Sequence, residues 1–128
     1  MHAGTSMATV LIVEDQAQIL ALVQSLLEEE GHKIFTAPNV DEAVVILAGP
    51  EPVDALLVDI MLNQDMQAGI ELAKRAVALK PDLKVVYSTG LTLTDRVRAL
   101  LVPGAVVLEK PYKLDQLLTS LLGPSVQD

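Results

Sequence analysis

The sequence predicts a doubly wound α/β fold, a five-stranded parallel sheet covered by helices on both faces. Three observations predict it. Short apolar runs alternate with stretches of helical periodicity five times along the 128 residues, the pattern of successive strand-helix units. The connections between them are brief, and right-handed crossovers of that length leave helices on both sides of one sheet. The chain is 51% hydrophobic but only 2% aromatic, so its core must come from Leu, Val, Ile and Ala, as in buried parallel strands.

Taken in order, residues 9–13, 55–58, 85–87 and 105–108 are apolar runs too short for a helix and bounded by polar or turn residues, and they read as buried strands. Residues 33–36 are only partly apolar, which suits a strand nearer the sheet edge. The first helical stretch follows Gln16 and carries Ile19, Leu20, Val23, Leu26 and Leu27 before Glu28, Glu29, Glu30 and a Gly31 stop. Asn39 with Glu42 three residues later has the form of a capping box; that helix runs to Leu47 and ends at Gly49-Pro50. A third helix is expected over 68–79, with Lys80 at its negative end and Pro81 beyond. Thr92 and Asp95 resemble a second capping box, ahead of Val97, Leu100 and Leu101. The last helix, 114–122, puts Leu114, Leu117, Leu118, Leu121 and Leu122 on a broad apolar face.

One domain over 8–122 accounts for the length, since domains run to roughly 100–150 residues. Residues 1–7 read as a leader or tag-like segment, with Met7 an alternative start, and residues 123–128 as a tail of turn composition. The net charge of −8 argues against a nucleic-acid partner and for proteins or cations. No apolar stretch approaches the roughly 20 residues of a membrane span. There is no cysteine, which excludes disulfides and thiolate metal sites and suits a cytoplasmic location. His2 and His32 lack metal-ligand spacing and read as ordinary surface residues.

In such folds ligands bind beyond the carboxyl ends of the strands, where strand order reverses. Glu14 and Asp15 follow the first strand, Asp59 the third, Ser88, Thr89 and Gly90 the fourth, and Lys110 with Pro111 the fifth. With strand order 2-1-3-4-5, Glu14, Asp15 and Asp59 crowd together. Three close carboxylates repel one another, and a hard divalent cation neutralises them; so few carboxylates suit Mg²⁺ better than a many-liganded Ca²⁺ cage. A carboxylate beside such an ion also serves as a nucleophile toward phosphorus, with Lys110 supplying a cation and Thr89 a hydroxyl donor. Singly, each has an ordinary reading: Glu14-Asp15 as helix N-terminal charges, Thr89 as a turn hydroxyl, Lys110 as a solvated lysine. Their convergence on one rim favours the functional one.

Four pieces, Val10-Leu11-Ile12-Val13-Glu14-Asp15, Leu57-Val58-Asp59-Ile60-Met61-Leu62, Ser88-Thr89-Gly90 and Leu108-Glu109-Lys110-Pro111-Tyr112, stand in order and at strand ends. Together they resemble the receiver domain of two-component response regulators, a flavodoxin-like (βα)5 fold, over about the whole span from Ala8 to Leu122. The resemblance implies Asp59 as phosphoacceptor, Mg²⁺ held by Glu14, Asp15, Asp59 and the Met61 carbonyl, and phosphate contacts from Thr89 and Lys110. It implies that Gly90 leaves the phosphodonor a way in, and that Pro111 follows a cis bond. The implied partners are a histidine kinase or phosphotransfer protein and a downstream protein target, in a signalling domain rather than an enzyme.

The chain departs from the family pattern at Asn63, where receivers commonly carry Pro, and at Val107, where an aromatic residue usually turns inward on activation. Output is therefore expected through packing shifts around Leu91, Leu101 and Val107. Met61 and Leu91 are apolar and orient no water, so self-dephosphorylation is expected to be slow. Three rivals remain. An aspartyl-phosphate-forming phosphohydrolase needs a second acid where Met61 stands. A mononucleotide binder needs a phosphate loop where Glu14-Asp15 repel phosphate. A receiver-fold docking module needs none of the acids, hydroxyl and lysine present.

Overall fold

The alternating pattern is realised as five strands and five helices in succession, in a computed structural model that describes residues 7–123. The expected leader and tail, with His2, fall mainly on residues 1–6 and 124–128, outside the described residues. The elements are β1 Thr9–Val13, α1 Ala17–Glu29, β2 Lys33–Ala37, α2 Val40–Ala48, β3 Ala55–Asp59, α3 Met66–Leu79, β4 Lys84–Thr89, α4 Asp95–Arg98, β5 Val106–Glu109 and α5 Leu114–Leu122. All four strand pairings are parallel and the order is β2-β1-β3-β4-β5, with β2 at an edge as its polarity predicts.

Because side chains alternate along a strand, each central strand feeds two cores. Leu11, Val13, Leu56, Val58, Val85 and Tyr87 face α2, α3 and α4, while Val10, Ile12, Ala55, Leu57 and Val86 face α1 and α5. Each fully buried Leu or Val contributes about 1.5–3 kcal/mol relative to exposure, so these uninterrupted strands dominate the stability. In α5, Leu117 and Leu121 are buried and Leu122 stands at the exposed margin.

Helix ends follow local chemistry. Gly31, at φ 94°, closes α1: its N–H reaches the Glu28 carbonyl and the His32 N–H the Leu27 carbonyl, a Schellman pattern. Asn39 Oδ1 caps α2 by accepting the Glu42 N–H at 2.9 Å, and the Glu42 carboxylate accepts from the Asn39 side-chain amide.

Several expectations need correction. His32 is buried, not superficial: the turn after Gly31 directs it under β1, where Nδ1 accepts the Ala8 N–H at 3.0 Å. The third helix starts at Met66, two residues early, because the Asp65 carboxylate caps it through the Gln67 N–H. Thr92 caps nothing; Thr94 is the N-cap of α4, its Oγ1 accepting the Val97 N–H, and the helix is a single turn that leaves Leu100 half exposed. Strands β3 and β4 run one and two residues further than expected, so Asp59 and Thr89 are their terminal residues.

Candidate functional site

The carboxyl ends of β1, β3, β4 and β5 form one rim, and backbone hydrogen bonds carry the ladder past them. Ile60 N–H reaches the Ser88 carbonyl at 2.9 Å and Lys110 N–H the Thr89 carbonyl at 2.7 Å. These bonds fix the backbone at the ends of β3 and β4, where Asp59 and Thr89 stand.

Glu14, Asp15 and Asp59 meet there, each offering a carboxylate oxygen within 4.8 Å of the others. Glu14 and Asp59 are buried and Asp15 is half-buried. Lys110 Nζ lies 3.5 Å from Glu14 Oε1 and 3.5 Å from Asp59 Oδ2, so one ammonium is shared by two acids. Asp59 Oδ1 accepts the Met61 N–H at 3.0 Å and Glu14 Oε2 the Gln16 N–H at 3.1 Å. Burial pushes the Glu14 carboxyl above its ordinary range, against the Gln16 N–H and Lys110, which lower it; Asp59 and Asp15 add to the rise. With all three acids ionised, the cluster exceeds its lysine by two negative charges, the charge of one divalent cation. The donor set is all oxygen, of which hard cations are the preferred guests.

The other expected residues are near but differently engaged. Thr89 is fully buried; its Oγ1 accepts the Leu91 N–H at 2.9 Å and lies 3.3 Å from the Leu91 carbonyl, closing a turn on its own loop. Gly90 is exposed and a Cβ there would meet nothing within 4 Å, so the fold itself does not require glycine at this position. The Met61 carbonyl accepts the Gln64 N–H at 2.8 Å, leaving one lone pair. The Lys110-Pro111 peptide is cis. Tyr112 leans over the same rim, and burial, with Glu14 and Asp59 nearby, pushes its phenol up. Leu101 and Val107 pack against the core beside Tyr87, whereas Leu91 is about half exposed.

Two features escaped the sequence reading. Gly69 in the first turns of α3 sits so close to the end of β3 that a Cβ would lie 2.8 Å from the backbone oxygens of both Asp59 and Ile60. The loop between them makes a tight turn over Leu62–Gln64 in which Asn63 (φ 54°) and Gln64 (φ 61°) are left-handed. Asn at 63, among the residues most tolerant of that backbone, was a signal for the turn; nothing local signals Gly69's close approach.

A doubly wound sheet in the order β2-β1-β3-β4-β5, with acids and a lysine gathered on its carboxyl rim, defines the class as flavodoxin-like. The response regulator receiver domain model matches residues 10–122, and the chain belongs to that family, the receiver domains of two-component response regulators. It is 32% identical over 121 residues to the response regulator receiver protein CpdR of Brucella abortus, covering 90% of this chain and 94% of that one. Among solved structures it resembles a CheY-like receiver domain protein of Methanospirillum hungatei, with 29% identity, TM-score 0.76 and coverage of 88% and 89%. It also resembles TrrA of Thermotoga maritima, solved in complex with Mg²⁺-BeF, with 27% identity, TM-score 0.70 and coverage of 87% and 93%. Other curated relatives are longer: the chain spans 24% of an NtrX of Azorhizobium caulinodans and 46% of a probable transcriptional regulatory protein of Picosynechococcus. Among the described residues no helix is long and apolar enough to cross a membrane.

Proposed function

We propose that residues 8–122 form a receiver that accepts a phosphoryl group on Asp59 with Mg²⁺ bound by Glu14, Asp15, Asp59 and the Met61 carbonyl. The observation that carries the reading is the meeting of three carboxylates and Lys110 at one rim. An Asp59 oxygen attacks the phosphorus of a phosphohistidine donor, and the N–P bond breaks with its electron pair leaving on the imidazole. Bound Mg²⁺ supplies Lewis acidity toward the phosphoryl oxygens. Lys110, already beside Asp59, neutralises the charge of the new group, and Thr89 turns its hydroxyl toward it. TrrA's complex with Mg²⁺-BeF supports the choice of ion.

The donor is a histidine kinase or phosphotransfer protein, the recipient of the signal a downstream protein, and the setting the cytoplasm. The net charge of −8 supports protein rather than nucleic-acid partners for this chain. The phosphohydrolase reading lacks a general acid at Met61, and the complete acid and lysine set disfavours a purely docking role. Intact mass measurement after incubation with acetyl phosphate and Mg²⁺ is the test: wild type gains one phosphoryl group and Asp59→Ala gains none. Equal masses for the two proteins overturn the assignment.

A further inference from the structure

Tyr87 is the largest of the fully buried side chains, and it stands on β4 two residues before Thr89, so both project from the same sheet face. A buried phenol oxygen needs a polar partner. The Tyr87 hydroxyl finds it outside the sheet, accepting the backbone N–H of Val102 at 3.2 Å, in the connection between α4 and β5. Leu93 is buried in the same apolar cluster, with Leu101, Val102 and Val107 packed against it, and Val107 is the β5 register partner of Tyr87.

At the other end, the Thr89 hydroxyl closes a turn with both backbone groups of Leu91. A hydroxyl has one proton, so donating it to a phosphoryl oxygen on Asp59 gives up the Leu91 carbonyl, and rotation toward the rim gives up the Leu91 N–H as well. The freed connection carries Leu93, which is buried in the same close-packed apolar cluster as the ring of Tyr87.

We propose that Tyr87 is a positioning residue that transmits rearrangement of Thr89 to the α4–β5 surface, its hydroxyl holding Val102 while its ring follows Leu93. This rests on the receiver reading above. It assigns the linkage to a fixed tyrosine on β4, where β5 offers only Val107.

The test is amide NMR on the full chain, wild type and Tyr87→Phe, titrated with beryllofluoride in the presence of Mg²⁺. Phe keeps the ring and removes only the acceptor. In wild type, the Ile60 and Met61 amides report loading of the site, and those of Leu101, Val102 and Val107 move with them. In Tyr87→Phe, the site amides move as before, with half-saturation within about twofold, while the ligand-induced changes at Leu101 and Val102 fall by half or more. A merely structural bond alters the free-state shift of Val102 and leaves the ligand-induced change intact; that result overturns the proposal. So does a wild type that loads without any response at Leu101 and Val102. A wild type whose Ile60 and Met61 amides do not respond overturns the receiver reading itself, and this proposal with it.

Discussion

Replacing Gly69 by alanine tests how tightly the site is built onto α3. A Cβ at that position lies 2.8 Å from the carbonyl oxygens of Asp59 and Ile60 and 3.1 Å from the Ile60 carbonyl carbon. Ordinary contact begins near 3.4 Å, so the overlap is about half an ångström against two backbone groups. Neither is the flexible end of a side chain. Both belong to the end of β3, where the Ile60 N–H is bonded to Ser88 and the Met61 N–H to Asp59. Either α3 lifts from the sheet or the Asp59-Ile60 peptide tilts. Overpacking of this kind costs about 1–3 kcal/mol, and the helix propensity gained on replacing Gly returns about 0.5–1 kcal/mol. The net loss is up to about 2.5 kcal/mol and centres on roughly 1 kcal/mol, which lowers Tm by several degrees in a domain of this size. Tilting of the peptide also misaims the Asp59 carboxylate, and displacements well under an ångström slow reactions that depend on alignment. Phosphorylation by acetyl phosphate is expected to slow at least severalfold, read by intact mass against time, with Tm read by calorimetry. An alanine variant with unchanged Tm and unchanged rate refutes the reasoning.

Asn63→Pro forces φ to about −65° where the chain holds 54°; it is expected to destabilise by about 2 kcal/mol or more by urea unfolding, while Asn63→Gly is neutral or stabilising. Lys110→Met removes the ammonium lying 3.5 Å from both Glu14 and Asp59. Mg²⁺ is then expected to bind about tenfold more tightly by calorimetry, as suits the loss of one repelling unit charge in a partly screened site, while phosphorylation of Asp59 declines; weaker Mg²⁺ binding contradicts the shared-lysine geometry. Burial pushes the phenols of both Tyr87 and Tyr112 above 10. The folded state therefore keeps protons that the unfolded state loses, and stability falls as pH rises from 10 through the raised values. Absorbance titration is expected to show both phenols ionising at higher pH in the folded protein than in the unfolded chain, and Tyr112→Phe to extend the alkaline limit; an ordinary titration near 10 in the folded protein counts against it.

The fold was readable because parallel strands buried on both faces must be continuous apolar runs, and Val10 to Val13 or Leu56 to Val58 tolerate no other reading once helices flank them. The rim was readable for a related reason: strand ends are defined by where those runs stop, and Glu14, Asp15, Asp59 and Lys110 stand at the stops. What stayed hidden depends on contacts between elements. His32 is polar in isolation, and only the turn at Gly31 that delivers it to the Ala8 N–H makes it a core residue. Thr92 and Thr94 both carry capping hydroxyls, and local sequence does not choose between them; in the folded chain Leu93 is buried and Thr94 is the N-cap. Gly69 fell within the expected third helix as an ordinary position, because nothing near it in sequence announces the backbone of Asp59.

The electrostatics of the rim explain why an incompletely neutralised cluster is compatible with a stable fold. Glu14 is buried, and burial is the main cause of its raised pKa, so part of the repulsion with Asp59 is relieved whenever Glu14 takes up a proton. Lys110 stands equidistant from the two carboxylates and is committed to neither. Glu14, Asp15 and Asp59 would hold a divalent cation, whose charge would favour the ionised form of Glu14 and complete the neutralisation that Lys110 alone leaves unfinished. The raised carboxyl of Glu14 and the position of Lys110 between two acids are thus two sides of one arrangement, in which three close carboxylates are only partly neutralised by a single ammonium.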